Sequence, residues 1–292
     1  MAADYTNVVR PLPGQSVITP FLTRISTFLL LCLEDSRQVL GKMIKAGIGR
    51  LLNSLGYRVV RTGLGFSREE LDTYQKVQEY TATTIERLIG LVDAVRYVSA
   101  NGIEGDIVEC GVWRGGSIMA AMHALMKLKD TARHFHLFDT FEGMTEPTEK
   151  DVMYDGQSAR SLIERDKAAF GKDHNWCVAS LEDVRRNVFS TGYPKEQVHF
   201  VQGKVEQTIP QHAPAKISLL RLDTDWYDST AHELVHLYPR LSPRGVLIID
   251  DYGHWEGARQ ATDEFFAKEP FKPLFCRMDY SARMGIKPPN PA

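Results

Sequence analysis

The chain has 292 residues, of which 43% are hydrophobic and 25% are charged, and its formal net charge is −2. This composition suits one sizeable domain with an accessory segment, and the absence of a long basic block argues against nucleic-acid binding. The four cysteines form no CxxC pair, which indicates reduced thiols in a cytoplasmic protein.

The N-terminal region carries several glycines and predicts short helices with breaks. Residues 17–33 are apolar but contain Arg24 and are too short to span a membrane, and no signal-peptide cleavage site follows them. The amphipathic stretch 21–57 favours packing on another subunit or over the active site, while contact with a membrane surface stays open. We predict a helical extension over 1–66, serving as a lid or oligomer contact, and one domain over 67–292.

From Ser67 onward the hydrophobic pattern becomes regular. Ser67 and Glu70 form a capping-box signature that predicts a helix through Tyr80, and apolar spacing predicts a second helix over 84–101. Strands and helices then alternate. The predicted strands are 106–110, 134–138, 198–202, 217–222 and 246–249, and the predicted helices between them are 117–128, 181–190 and 229–241. This alternation is typical of a doubly wound, mostly parallel, Rossmann-like α/β sheet.

A glycine-rich turn, ECGVWRGGS, follows the first predicted strand. Its glycines let the backbone approach a ligand, and its spacing differs from the dinucleotide fingerprint G-x-G-x-x-G. The carboxylate at the strand's end would repel a pyrophosphate but suits the amino group of S-adenosylmethionine, and the acid ending the second strand suits both hydroxyls of a ribose. We predict that the residues binding this cofactor are Glu109, Gly111, Val112, Gly115, Ser117, Asp139 and Thr140.

Three aspartates follow the last two predicted strands: Asp223 in LLRLD, and Asp250 and Asp251 in GVLIIDD. A right-handed crossover makes the two strand ends neighbours, so the three carboxylates should converge. Like charges at one point need a cation, and oxygen ligands suit Mg²⁺, Mn²⁺ or Ca²⁺. Aspartates after strands also form turns and cap helices, and Asp225 and Asp228 are candidates for capping the next helix.

Four segments in the same order, ECGVWRGGS, LFDTFEGM, LLRLDTDWYDST and LYPRLSPRGVLIIDDYGHWEGARQA, resemble the macrocin O-methyltransferase (TylF-type) family. The resemblance covers about 83–266. It implies a class I methyltransferase fold, S-adenosylmethionine and Mg²⁺ as cofactors, a sugar hydroxyl of a natural product or nucleotide sugar as acceptor, and a homo-oligomer. It also implies that Asp223, Asp250 and Asp251 hold the metal ion and that Asp223 serves as general base. His254 and solvent stay open as proton acceptors.

Three other functions stay open at this point. A dinucleotide enzyme would need the glycine spacing that is missing here. A non-catalytic protein with a methyltransferase fold would be expected to have lost one of the acids. A catechol-type O-methyltransferase shares the chemistry but methylates a planar aromatic diol.

Overall fold

The computed structural model describes residues 65–171 and 174–289. The predicted amphipathic stretch 21–57 lies outside them, and the boundary predicted after residue 66 stays a prediction. Among the described residues, no helix is both long and apolar enough to cross a lipid bilayer.

Helices and strands alternate along the described residues, as the sequence pattern predicts. The helices are α1 (Arg68–Val77), α2 (Ile85–Ala100), α3 (Gly116–Leu128), α4 (Ala159–Phe170), α5 (Leu181–Phe189), α6 (Val205–Thr208), α7 (Tyr227–Leu237) and α8 (Glu256–Lys268). The strands are β1 (Asp106–Cys110), β2 (Phe135–Asp139), β3 (Val198–Gln202), β4 (Ile217–Leu222), β5 (Leu241–Ile249), β6 (Cys276–Arg277) and β7 (Arg283–Ile286).

The strands form one sheet in the order β3-β2-β1-β4-β5-β7-β6. The strands β1 to β5 are parallel, whereas β7 runs antiparallel to β5, and β6 runs antiparallel to β7. The predicted doubly wound, mostly parallel sheet is therefore confirmed, with an antiparallel edge that was not predicted. The strand order reverses between β1 and β4, and such a switch point is where open α/β sheets bind their ligands.

Local sequence explains most of the element boundaries. The capping box at the start of α1 is present: Glu70 N donates to Ser67 Oγ (3.3 Å), and Ser67 N donates to Glu70 Oε2 (2.6 Å). By contrast, α7 begins at Tyr227, before the predicted start, and β5 begins at Leu241 instead of 246. An irregularity in the pairing of β4 with β5 accommodates the Ser-Pro-Arg-Gly segment that separates the predicted helix 229–241 from the predicted strand 246–249.

Both faces of the sheet are covered, and all six residues of β4 are buried. On one face, side chains of α2 and α3 such as Leu88 and Met122 pack against Leu219. On the other face, Leu234 of α7 and Phe266 of α8 join the core. Because a parallel sheet covered in this way is closed to solvent along its faces, a polar ligand reaches it at the ends of the strands.

Candidate active site

The turn after β1 lies against the end of β4. Gly111 has a φ of +81°, and a Cβ added to it would lie 2.0 Å from the carbonyl oxygen of Asp223, so only glycine fits this position. Gly115, with φ of 90°, is the N-cap of α3, and Ser117 is buried in the first turn of that helix. The turn thus brings the amide groups at the start of α3 to the switch point.

Asp139, at the end of β2, holds this turn in place. Its Oδ2 accepts hydrogen bonds from Val112 N (2.6 Å) and Trp113 N (3.0 Å), and its Oδ1 accepts one from Phe141 N (2.7 Å). A carboxylate offers about four lone-pair positions, so about one remains for a ligand. Asp139 therefore has room to accept a hydrogen bond from one ribose hydroxyl, whereas the prediction gave it both.

A cavity opens beside this turn, between the ends of β1, β2, β3 and β4. Four residues of the predicted cofactor set and metal set line it: Gly111, Asp139, Thr140 and Asp223. The Thr140 hydroxyl donates to Gly143 O (2.6 Å), which shapes the wall of the cavity. The other predicted cofactor residues are not among the residues that line it: Glu109, Val112, Gly115 and Ser117.

Glu109 is buried and pairs with Arg221, which stands opposite it in the register of β1 and β4. Arg221 Nη1 lies 2.5 Å from Glu109 Oε1 and 2.8 Å from Asp223 Oδ2, and Nη2 lies 2.7 Å from Asp250 Oδ1. The other oxygen of Glu109, Oε2, is buried without a hydrogen-bond partner. Burial raises the pKa of Glu109 to about 7, although Arg221 acts in the opposite direction.

Asp250 is committed to two arginines. It pairs with Arg221 and also with Arg87 of α2, which in turn lies 2.9 Å from Asp279. Burial alone would raise the pKa of Asp250, but the two guanidinium groups hold it below its usual value. The side chain of Asp250 lies on the same side of the sheet as that of Ile248, two residues before it. Because side chains alternate between the two sides along a strand, the side chain of Asp251 lies on the opposite side, as that of Ile249 does.

The carboxylates that converge are those of Asp223, Asp225 and Asp251, called the acidic cluster below. One oxygen of each lies within 4.8 Å of the others. Asp225 thus occupies the place that was predicted for Asp250, and Asp250 lies in the arginine network instead. The indole of Trp255 donates to Asp225 Oδ2 (3.0 Å), which orients that carboxylate.

Asp225 does not cap the following helix, contrary to one of the open interpretations. Trp226 occupies the N-cap position of α7 and makes no capping bond with its side chain. The cap comes from a distant residue: the buried Asp151 accepts a hydrogen bond from Tyr227 N (2.8 Å). This frees the carboxylate of Asp225 for the cluster.

Arg221 compensates only part of the charge of the acidic cluster. Burial, together with repulsion between the acids, raises the pKa values of Asp223 and Asp251 well above their usual range and raises that of Asp225 to about 7. Asp251 Oδ2 is buried and has no hydrogen-bond partner. A divalent cation fits this arrangement, because oxygen ligands suit it and its charge offsets the repulsion.

His254 lies in the turn that follows Asp251. The Tyr280 hydroxyl is 3.0 Å from His254 Nδ1, and the imidazole packs edge-on against Trp255 with ring centroids 5.0 Å apart. Burial and the charge of Arg87 lower the pKa of His254. The imidazole, predicted as a candidate proton acceptor, is thus engaged with aromatic neighbours.

The segment before β7 holds the turn that contains His254. Gly253 N donates to Ser281 O (2.8 Å), and the Ser281 hydroxyl donates to Asp250 O (2.7 Å). A Cβ at Gly253 would lie 2.0 Å from Tyr280 O, so the two segments are in close contact. The position of the turn therefore depends on the antiparallel edge of the sheet.

Sequence reasoning missed the roles of Arg87, Arg221, Asp225 and Trp255. For Arg221 a signal was present, since a lone charge inside the apolar run of β4 has to be paired when buried. For Arg87 and Trp255 no local pattern marks the partner, because Asp250 and Asp225 lie far from them in sequence.

Known proteins resemble this chain over most of the described residues. The family model described as macrocin O-methyltransferase (TylF) matches residues 66–284. The 8-demethyl-8-(2,3-dimethoxy-alpha-L-rhamnosyl)-tetracenomycin-C 4'-O-methyltransferase of Streptomyces olivaceus is 36% identical, over 72% of this chain and 70% of that protein. The demethyldecarbamoylnovobiocin O-methyltransferase of Streptomyces niveus is 34% identical, over 80% of this chain and 87% of that protein. The solved structure of the O-methyltransferase NovP has a TM-score of 0.62 and is 30% identical, over 72% of this chain and 82% of that one.

Proposed function

The chain belongs to the macrocin O-methyltransferase (TylF) family, and from that membership we propose that it methylates a sugar hydroxyl of a glycosylated natural product or nucleotide sugar. As a member of this family it is an S-adenosylmethionine-dependent O-methyltransferase. The observation that carries the proposal is the acidic cluster, which stands at the ends of β4 and β5 beside the cavity at the switch point.

For the donor, we propose that the cavity beside the Gly111 turn takes S-adenosylmethionine. Glu109, predicted to meet the amino group of the methionine part, is paired with Arg221 and does not line this cavity, so in this proposal it acts on the cationic cofactor only through its charge. The remaining lone pair of Asp139 suits one ribose hydroxyl. Transfer of a methyl group is an in-line displacement, so these contacts act by positioning the sulfonium carbon.

For the cation, we propose that Asp223, Asp225 and Asp251 hold Mg²⁺ or Mn²⁺. The support is the proximity of their carboxylates and the buried, unpartnered Oδ2 of Asp251. A bound divalent ion lowers the pKa of a hydroxyl that coordinates it and orients that hydroxyl. In this proposal Asp250 is not a ligand but holds Arg87 and Arg221 behind the site.

For the proton, Asp225 joins the predicted Asp223 and His254 as a candidate acceptor, because burial and the neighbouring acids raise its pKa to about 7. Burial raises the pKa of Asp223 as well, although Arg221, 2.8 Å away, stabilises its charge and opposes that rise. The imidazole of His254 lies against Trp255 and the Tyr280 hydroxyl. Asp225 faces only an indole N–H and two other acids, so taking up a proton relieves repulsion there.

The reaction is tested by measuring release of S-adenosylhomocysteine with glycosylated acceptors, nucleotide sugars and catechol, with Mg²⁺ or excess EDTA. We expect turnover on the sugar acceptors that stops in EDTA and returns when Mg²⁺ is restored. Turnover on catechol alone would favour the catechol-type alternative. Full turnover in EDTA would remove the cation from the mechanism while leaving the acceptor class intact.

The ligand set is tested separately by titrating Mn²⁺ into four variants and following the free ion by electron paramagnetic resonance. Asp223→Asn, Asp225→Asn and Asp251→Asn should each weaken binding by at least about 10-fold, since even partners outside the ligand shell contribute that much. Asp250→Asn, the matched control, should weaken binding less than the other three variants, because it touches the cluster only through Arg221, and it should unfold at lower temperature. Equal weakening in Asp250→Asn and Asp251→Asn would return Asp250 to the ligand set.

A further inference from the structure

Three aromatic side chains, Tyr154, His254 and Tyr280, form a surface that we call the aromatic platform. Their ring centroids lie 5.8, 6.1 and 5.9 Å apart, in edge-on arrangements. Tyr154 is 55% exposed and Tyr280 is 47% exposed, so both offer ring surface to solvent. Large aromatic rings left exposed as a group are typical of a surface that binds something.

The platform is joined to the acidic cluster by hydrogen bonds and packing. Tyr154 N donates to His254 O (3.0 Å), and His254 N donates to Asp251 O (3.0 Å). The imidazole of His254 rests on Trp255, whose indole N–H reaches Asp225. The turn from Asp251 to Trp255 therefore links the platform to the acidic cluster.

The platform also lies on the side from which an acceptor must approach. The donor cavity lies over the ends of β1 to β4, and the platform lies beyond the cluster, at the end of β5 and the start of β7. Displacement at a methyl carbon requires the sulfur and the attacking oxygen on opposite sides of that carbon. With the donor at the cavity, an acceptor held on the platform would meet this requirement.

A pyranose ring has the complementary chemistry. Its axial C–H bonds make an apolar face that packs on an aromatic ring, while its hydroxyls stay at the rim, where phenol and imidazole groups form hydrogen bonds. We propose that Tyr154, His254 and Tyr280 form the subsite that holds the pyranose ring of the acceptor. This inference rests on the proposed function, and it assigns the acceptor subsite to three named side chains.

The test is saturation-transfer difference NMR with methyl α-L-rhamnopyranoside and methyl glucopyranosides, with S-adenosylhomocysteine and Mg²⁺ present. With the unaltered protein, we expect saturation to pass to the ring protons of the glycoside. Tyr154→Ala and Tyr280→Ala should weaken binding by about 2- to 10-fold, the range produced by losing one aromatic partner. Tyr154→Phe, which keeps the aromatic ring, should retain most of the affinity for the glycoside.

Phe170→Ala is the matched control, because Phe170 is a 71% exposed aromatic residue outside the platform, packed near His174. Its glycoside binding should equal that of the unaltered protein. Circular dichroism and calorimetry of S-adenosylhomocysteine binding verify that each variant is folded. Saturation that is absent with every glycoside, or unchanged in both Tyr→Ala variants, would overturn the subsite. Glycoside binding that depends on the platform, in a protein without methyl transfer to any sugar, would refute the proposed function alone.

Discussion

Replacing Arg221 by methionine tests whether the buried charge network supports the site. The change leaves three carboxylates without their shared guanidinium: Glu109, Asp223 and Asp250. Asp250 keeps Arg87 as a partner, and the side chain of Asp223 is 29% exposed, so both losses are partly compensated. Glu109, with 1% of its side chain exposed, has no other cationic partner among the described residues.

The expected cost is that of one broken buried pair, about 3–5 kcal/mol. In a domain of this size that loss lowers the melting temperature by roughly 6–20 °C. The loss should be smaller at pH 6 than at pH 8. The pKa of Glu109 is already raised to about 7, and removal of Arg221 raises it further, so the folded protein gains protons and stability as the pH falls.

The assay is thermal unfolding followed by circular dichroism at both pH values. Arg96→Met is the matched control, because Arg96 forms ion pairs with Glu69 and Asp93 at the surface, where such pairs contribute little. Adding Glu109→Gln to Arg221→Met should recover much of the loss, since a neutral amide needs no guanidinium. If Arg221→Met and Arg96→Met melted within roughly 2 °C of each other, the network would not carry the stability assigned to it.

Two further substitutions test the backbone framework of the site. Gly111→Ala should abolish the binding of S-adenosylhomocysteine, measured by calorimetry, because the new methyl group would clash with the carbonyl of Asp223. Gly156→Ala is the control, since Gly156 also has a positive φ but has open space around it, and this variant should still bind. Asp151→Ala should lower the free energy of unfolding in urea by about 1–2 kcal/mol, because the cap on Tyr227 is lost. Asp151→Asn keeps an acceptor oxygen, so its free energy of unfolding should fall by less. Binding by Gly111→Ala, or equal losses in the two Asp151 variants, would contradict these roles.

The parallel core of the fold was predictable because each central strand is a short apolar run followed by a helix, and such runs have few other uses. The antiparallel edge was not, since β6 has only two residues and RMGI of β7 has no strong alternation. β7 depends on pairing with β5, and β6 depends on pairing with β7, and local sequence encodes neither contact.

The site was predictable as a position but not as a set of contacts. Glycines and acids at strand ends predict a site at the switch point, and the cavity and the acidic cluster lie there. The adjacent pair Asp250 and Asp251 suggested two ligands, yet alternation along the strand divides them between the arginine network and the acidic cluster. Asp225 looked like a helix cap because nothing in the sequence shows that Asp151 performs that task.

The division between the two neighbouring aspartates also has an evolutionary meaning. If Asp251 holds the proposed cation, a change at Asp250 and a change at Asp251 would be selected against for different reasons, the first through folding and the second through chemistry. Inserting or deleting one residue near the end of β5 would exchange their positions. Related chains should therefore show Asp250 changing together with Arg87 and Arg221, independently of the acidic cluster, and the length of β5 should tolerate less variation than its apolar residues do.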